Sequence, residues 1–311
     1  MRLARVRSGL SESFDNVAVI ALDADGNTLF SSGSVDEQIF YRSAKKPFQA
    51  IAARRLGLDL PPEHLAVSCA SHGAYPVHLA VVGQILDDYG YTAADLQCTP
   101  GRPLAPDADR YQASRGRTAP ERIFHNCSGK HAGWLAACSV AGLDPRTYLD
   151  PHHPLQELVI ETMREYSGVD PRPVGVDGCG APTLRGTVRT LATGFARLMV
   201  EPEAQPVVTA MATYGALVAD NVRPDGRLAI SWGGPVKVGA EGSIAFAHHD
   251  IAIAAKSESG NSAMAVAAAL HAAQVVGVLN DSMASALRDE ISPPVFGAGR
   301  QVGRTIVVDR S

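Results

Sequence analysis

Arg42-Ser43-Ala44-Lys45-Lys46-Pro47-Phe48 places a hydroxyl and an amine three residues apart. If Ser43 opens a helix, Lys46 lies one turn along on the same face, within reach of the serine oxygen. A lysine buried beside other cations is partly neutral, and a neutral amine can take the serine proton, so the two side chains are a candidate nucleophile and base. An isolated Ser-x-x-Lys is more often a helix start with solvated lysines. Here the flanks argue for burial: Gln38-Ile39-Phe40-Tyr41 is apolar and strand-like, and Phe48-Gln49-Ala50-Ile51-Ala52-Ala53 reads as a buried helix.

Four further segments carry chemistry. Ser68-Cys69-Ala70-Ser71-His72-Gly73 offers Ser71 as a second hydroxyl and His72 as a polar contact, or else a small-residue turn with a capping serine. His125-Asn126-Cys127-Ser128-Gly129-Lys130-His131 precedes a helix, whose free N–H groups favour a carboxylate or developing negative charge and lower the pKa of a thiol. Val176-Asp177-Gly178-Cys179-Gly180-Ala181-Pro182 displays an acid and a thiol on a glycine-punctuated turn. Two lone cysteines so far apart, without a C-x-x-C pair, are more often core residues than ligands. In Gly233-Gly234-Pro235-Val236-Lys237-Val238-Gly239-Ala240-Glu241-Gly242, Lys237 borders a pocket if its amine is held against a sheet edge, and is otherwise a loop lysine.

The elements that must position these groups follow from periodicity. Val17–Leu22, a turn at Asp23–Asn27 and Thr28–Phe30 read as a hairpin. Helices are expected at Ser43–Leu56, Val77–Tyr89, Gly129–Ala141, Pro154–Tyr166, Leu184–Val200 and Pro206–Val218. Strand-like text returns over Arg227–Ala255, including Leu228-Ala229-Ile230, before an apolar helix at Ser262–Leu279 and a last strand at Thr305–Val308. Pro103–Thr118 has no periodicity and reads as a long loop. Strands at both ends around a helical middle give an α+β fold, with one antiparallel sheet built from both termini. The expected organisation is a single domain over residues 1–311, with sheet-containing parts at 1–60 and 225–311 and a mainly helical part at 61–224.

Composition narrows the partners. A net charge of -4 with 6% aromatic residues leaves no basic surplus for a phosphate backbone, which excludes nucleic acid. No apolar run reaches the ~18 residues of a membrane span, and the basic start lacks an apolar h-region, so a cytoplasmic protein without a membrane partner is expected. Five cysteines, an odd number widely spread, argue for reduced thiols.

Taken in order, R-S-A-K-K-P-F-Q-A, C-A-S-H-G, N-C-S-G-K-H-A-G, D-G-C-G-A-P and K-V-G-A-E-G resemble the bacterial type II L-asparaginase family related to the Rhizobium etli inducible enzyme, distinct from the threonine-nucleophile asparaginases of Escherichia coli type. The blocks run across most of the chain. The resemblance implies a serine β-lactamase- and glutaminase-like fold, in which Ser43 with Lys46 and Ser71 with Lys237 form two serine–lysine pairs in one pocket. It further implies substrate contacts from Arg42 and Asp177, to which the neighbouring His72, Asn126 and Gly178 are added as candidates. Cys127, Lys130 and Cys179 would surround a zinc ion that supports the pocket without generating the nucleophile. L-asparagine is the implied substrate and a homodimer the implied assembly. One departure stands out: Gly73 is followed by Ala74-Tyr75 where the family usually carries glutamate, so a contact from that acid is missing or replaced. Two other readings remain at this level: a penicillin-recognising or peptide amidase, and a zinc-stabilised amino-acid-binding or regulatory protein.

Overall fold

A computed structural model of the chain describes residues 1–220 and 222–308. Strand β1 (Arg2–Arg7) turns at Ser8-Gly9 into the long β2 (Leu10–Leu22), and β3 (Thr28–Ser32) completes the expected hairpin. The hairpin turn closes where the Asp23 carboxylate accepts the Asn27 N–H at 2.8 Å. After β4 (Ile39–Phe40) and a 3-10 turn over Arg42–Lys45 come helices α1 (Lys46–Arg55), α2 (Pro62–Ser68), α3 (Pro76–Asp88), α4 (Pro106–Ser114), α5 (Ser128–Ala141) and α6 (Pro154–Ser167). Three two-residue strands, β5 (Gly175–Val176), β6 (Pro182–Thr183) and β7 (Arg185–Gly186), lead to α7 (Val188–Val200), α8 (Gln205–Thr213), α9 (Gly215–Val218) and α10 (Pro224–Trp232). The chain closes with β8 (Val236–Gly239), β9 (Ser243–His248), β10 (Ile251–Ser257), α11 (Ser262–Val275), α12 (Asp281–Ala286), α13 (Arg288–Ile291), β11 (Pro294–Gly297) and β12 (Arg300–Val307).

The main sheet is antiparallel, in the order β11-β12-β1-β2-β10-β9-β8 with β3 also on β2. Its centre joins the two chain ends, since Val17–Leu22 pairs with Ala252–Ser257. Strict alternation there feeds two cores. Ile20, Leu22, Ala245, Ala247, Ala252 and Ala254 face the side of α1, α6 and α7, where Phe48, Met163 and Phe195 are buried. Val19, Ala21, Ile244, Phe246, Ile253 and Ala255 face α11 and its Met264 and Leu270. Burying a side chain such as Ile253 or Phe246 contributes about 1.5–3 kcal/mol. The many alanines on the first face let α7 lie close to the sheet. Strands buried on both faces read as continuous apolar runs, which is why Ile251–Ala255 is legible as a strand.

Several expectations need correction. Leu228-Ala229-Ile230 is helical, not a strand: Pro224 opens α10, and Leu228, Ala229 and Trp232 are buried at helical spacing. The Pro103–Thr118 segment contains α4, opened by Pro106 with Asp107 and Asp109 in its first turn, where they complement the helix dipole. The helix expected from Leu184 begins at Val188, because Thr187 and Thr190 form a reciprocal capping box. The expected helix Pro206–Val218 breaks at Tyr214, and α2 and β1 were not expected. Ser43 itself lies in the 3-10 turn, one residue-group ahead of the α-helix. All five cysteines are free and buried, and no helix among the described residues is long and apolar enough to cross a membrane.

Candidate active site

Arg42 has φ 51°, a left-handed backbone that a non-glycine residue adopts at some cost, and it swings the chain from β4 into α1. The turn packs on β8, the last strand of the sheet. A Cβ on Gly239 would lie 2.8 Å from the Tyr41 carbonyl oxygen and 3.1 Å from Arg42 Cβ, so only glycine permits this contact. Ser43 is partly exposed, and its hydroxyl makes no hydrogen bond among the described residues. Lys46 is buried one turn on, where Nζ donates to Ser71 Oγ at 3.1 Å and to the Ala70 carbonyl. Ser71 lies just past the end of α2, and α2 meets α5 closely because Gly129 leaves its side-chain space to Val67. Lys237, on β8, donates to its neighbour's carbonyl, Val238 O, at 2.8 Å. The fold therefore joins Lys46 to Ser71; no hydrogen bond links Lys46 to Ser43 or Lys237 to Ser71 among the described residues.

The proposed substrate contacts divide. Asp177 Oδ1 accepts from Arg42 Nε at 2.9 Å and from the Gly178 N–H at 3.0 Å, while Oδ2 accepts from Lys45 Nζ at 3.1 Å. Gly178 is exposed, and its carbonyl accepts from Thr99. His72 is fully buried with both ring nitrogens engaged, Nε2 with Ser128 Oγ at 2.9 Å and Nδ1 with the Ala74 N–H at 3.2 Å. Burial and the nearby His78 and Lys46 hold it well below the ordinary histidine pKa, so it is a neutral strut at neutral pH. Asn126 accepts the His72 N–H through its carbonyl at 3.1 Å, tying the second and third segments together.

Lys45, Lys46, Lys130 and Lys237 are each at most 2% exposed, and that concentration of ammonium groups sets the electrostatics. Burial lowers the proton affinity of Lys45, with Asp177 as its main counterweight. Burial, then the Lys46 charge, pushes Lys237 down to about 7. Burial opposes ionisation of Asp177, but the Lys45 and Lys130 ammonium groups overcome it and hold the carboxyl well below the usual carboxylate range. Lys237 is therefore a buried lysine that is partly neutral near pH 7.

Cys127, Lys130 and Cys179 come together from the α5 start and the turn between β5 and β6. Lys130 Nζ is 3.2 Å from Cys179 Sγ and 4.4 Å from the Trp134 ring centre. The Cys127 thiol sits between Asn126 Oδ1, at 3.2 Å, and the Cys179 sulfur. That thiol, with Lys130 behind it, holds Cys179 as a thiolate against the cost of burial. No three His, Cys, Asp or Glu side chains gather as a metal site among the described residues. Two sulfurs and an amine in mutual contact are nonetheless a soft donor set, and Lys130 shifts to neutral only by losing its proton to solvent.

Sequence reasoning missed the residues around Ser71. Arg223 bonds the Ser71 carbonyl and is held by Asp220, and Asp225 lies near both Arg223 and Lys237, yet the only cue is a cluster of charges around Pro224. His131, next to Cys179, was not singled out either; its Nδ1 is bonded to Tyr148 at 2.7 Å.

A sheet assembled from both chain ends, with a serine–lysine cluster under it, is an amide-hydrolase type of arrangement. The chain belongs to the L-asparaginase II family, whose sequence model matches residues 3–307. No curated protein matches it. Among solved structures it is similar to Mglu in its native form, at 16% identity and a TM-score of 0.45, covering 83% of this chain and 63% of that one. Mglu in its tris and glutamate form gives 18% identity and a TM-score of 0.43, covering 87% of this chain and 61% of that one. The chain thus spans about six-tenths of the length of these solved structures.

Proposed function

We propose that the protein hydrolyses L-asparagine to aspartate and ammonia through an acyl-enzyme. The observation that carries this reading is the meeting of an unengaged Ser43 hydroxyl, a buried Lys46 and a Lys46-bonded Ser71 beside Arg42 and Asp177. Arg42 takes the substrate α-carboxylate and Asp177 its α-ammonium. Ser43 Oγ attacks the side-chain amide carbon while its proton passes to the amine of Lys46. The proton then goes to the departing nitrogen, the C–N bond breaks, and ammonia leaves an aspartyl ester on the serine. Water attacks that ester and releases aspartate. Ser71 bonds Lys46, and Lys237 lies near enough to feel the Lys46 charge, so in this scheme a neutral Lys237 draws the proton off Lys46 and readies it as base. The open edge of β8, against the turn that holds Ser43, offers the backbone N–H groups best placed to meet the oxyanion.

Ammonia release from L-asparagine, with L-glutamine as comparison, tests the reading. Ser43→Ala should lower kcat on the order of 10³-fold or more, with a smaller loss in Ser71→Ala. If Ser71→Ala is the dead variant and Ser43→Ala is active, the nucleophile is Ser71. Calorimetric binding of asparagine without any ammonia would leave an amino-acid-binding protein.

Cys127, Lys130 and Cys179 are the residues that would hold zinc in this reading. Bound there, the ion would add positive charge to the pocket and lock the α5 start to the Asp177 turn. Because Lys130 and a thiol must lose protons to bind it, zinc affinity in equilibrium dialysis should rise with pH and disappear in Cys179→Ser. Equal zinc uptake by wild type and variant would remove this assignment.

A further inference from the structure

We propose that Arg223, held in place by Asp220, is a positioning residue that fixes the Ser71 peptide against Lys46. The inference deepens the amidase reading and rests on it. The end of α9 and the stretch after it grip this peptide from both sides: the Ser71 N–H donates to Val218 O at 2.9 Å, and Arg223 Nη2 donates to the Ser71 carbonyl. The guanidinium is itself fixed. Its Nε donates to Asp220 Oδ2 at 2.7 Å, and Asp220 Oδ1 accepts the Arg223 backbone N–H at 2.8 Å and the Val222 N–H at 3.0 Å. The Asp220 side chain is fully buried, and Arg223 Nη1 also lies 3.8 Å from Asp225 Oδ2.

The chain beyond Ser71 is pressed onto the same carboxylate. A Cβ on Gly73 would come 2.9 Å from Asp220 Oδ2 and 2.9 Å from Ala105 Cβ. On its other side the peptide receives Lys46, which bonds both Ala70 O and Ser71 Oγ. Ser71 is thus clamped between the Lys46 amine and the Arg223 guanidinium, and its Oγ to Lys46 distance depends on both holding. A guanidinium serves this place because its fixed fork spans a carbonyl and two carboxylates at once, which an ammonium does not. Arg223 touches no reacting atom in this scheme; it acts through the position of Ser71, where displacement by about 1 Å is worth on the order of 10²-fold in rate.

The test is Arg223→Lys, which keeps a cation opposite the buried Asp220 so that the fold survives. Its kcat for asparagine should fall about 10- to 100-fold with KM within about threefold of wild type. In Arg223→Ala, added guanidinium should restore part of the lost kcat. Wild-type kcat in Arg223→Lys, or a loss confined to KM, overturns the positioning role. Failure of guanidinium to restore any activity to a folded Arg223→Ala also counts against it. A wild-type protein that releases no ammonia removes the amidase reading and the role with it, whereas an active wild type with an equally active Arg223→Lys removes the role alone.

Discussion

Lys46→Met should lower kcat for asparagine on the order of 10³-fold while leaving a folded protein, because a positioned general base is worth roughly 10²–10⁴. Methionine nearly preserves the buried volume and removes only the amine. The stability cost comes from the Ala70 carbonyl and Ser71 hydroxyl that lose their donor, about 1–3 kcal/mol for a buried acceptor left unmade. The pH profile gives a second reading of the same site. Lys237, pushed down to about 7 by burial and then by the Lys46 charge, is protonated below that pH and neutral above it. If its neutral form resupplies the base, wild-type kcat/KM rises with pH through about 7. Lys237 keeps its proton in the unfolded chain up to the ordinary lysine range, so its penalty to folding is present below about 7 and is relieved as pH rises. Removing the Lys46 charge should move the limb of any residual activity to higher pH. A Lys46→Met variant within tenfold of wild type would place the base elsewhere.

Asp177→Ala should cost about 3–5 kcal/mol of stability, the amount typical of a buried charge left without its partner. Lys45 is the reason. It is almost wholly buried, and among the described residues Asp177 is the only carboxylate bonded to it; the other hydrogen bonds of its amine, to Arg42 O and Thr183 Oγ1, are 3.2 Å long and go to groups with no full charge. In calorimetry this corresponds to a Tm lower by roughly 5–8 °C for a chain of this length. Substrate binding should weaken in parallel, since Arg42 loses the group that orients it. The sign with pH is fixed: Asp177 is held below its unfolded pKa by its cations, so its stabilisation is complete above the ordinary carboxylate range and is lost as pH falls through its folded value. The variant should therefore be less sensitive to acid than wild type. Unchanged Tm in Asp177→Ala would mean that Lys45 sheds its proton or finds water at no cost.

Local chemistry was legible in the sequence where one side chain's neighbours are its neighbours in the chain. The hairpin at Asp23–Asn27 and the helices over Val77–Tyr89 and Pro154–Tyr166 depend on spacing within a turn or two, and the structure places them within a few residues. The β10 run was legible because both of its faces are buried. What failed had a tertiary cause. Leu228-Ala229-Ile230 is apolar enough for a strand, and only the proline start of α10 and the burial of Trp232 decide for a helix. The bond from Lys46 to Ser71 depends on how closely α2 meets α5, and the two lysines at 45 and 46 part company because Asp177 waits on one side of the turn and Ser71 on the other. No spacing rule encodes that. Asp220 and Arg223 were invisible for the same reason: their partner is a peptide carbonyl about 150 residues away.

The pairing of Val17–Leu22 with Ala252–Ser257 also has a consequence for timing during synthesis. At the ordinary ribosomal pace of roughly 5–20 residues per second, β2 emerges tens of seconds before β10 exists to cover it. Throughout that wait the helical middle can compact around α5, yet Lys237 and the strand that carries it are still missing from the pocket. Under the proposed mechanism the nascent chain is therefore inert toward amides, and it presents an unpaired apolar strand edge. Its chemistry switches on as a single late event, when the last strands slot in beside the first.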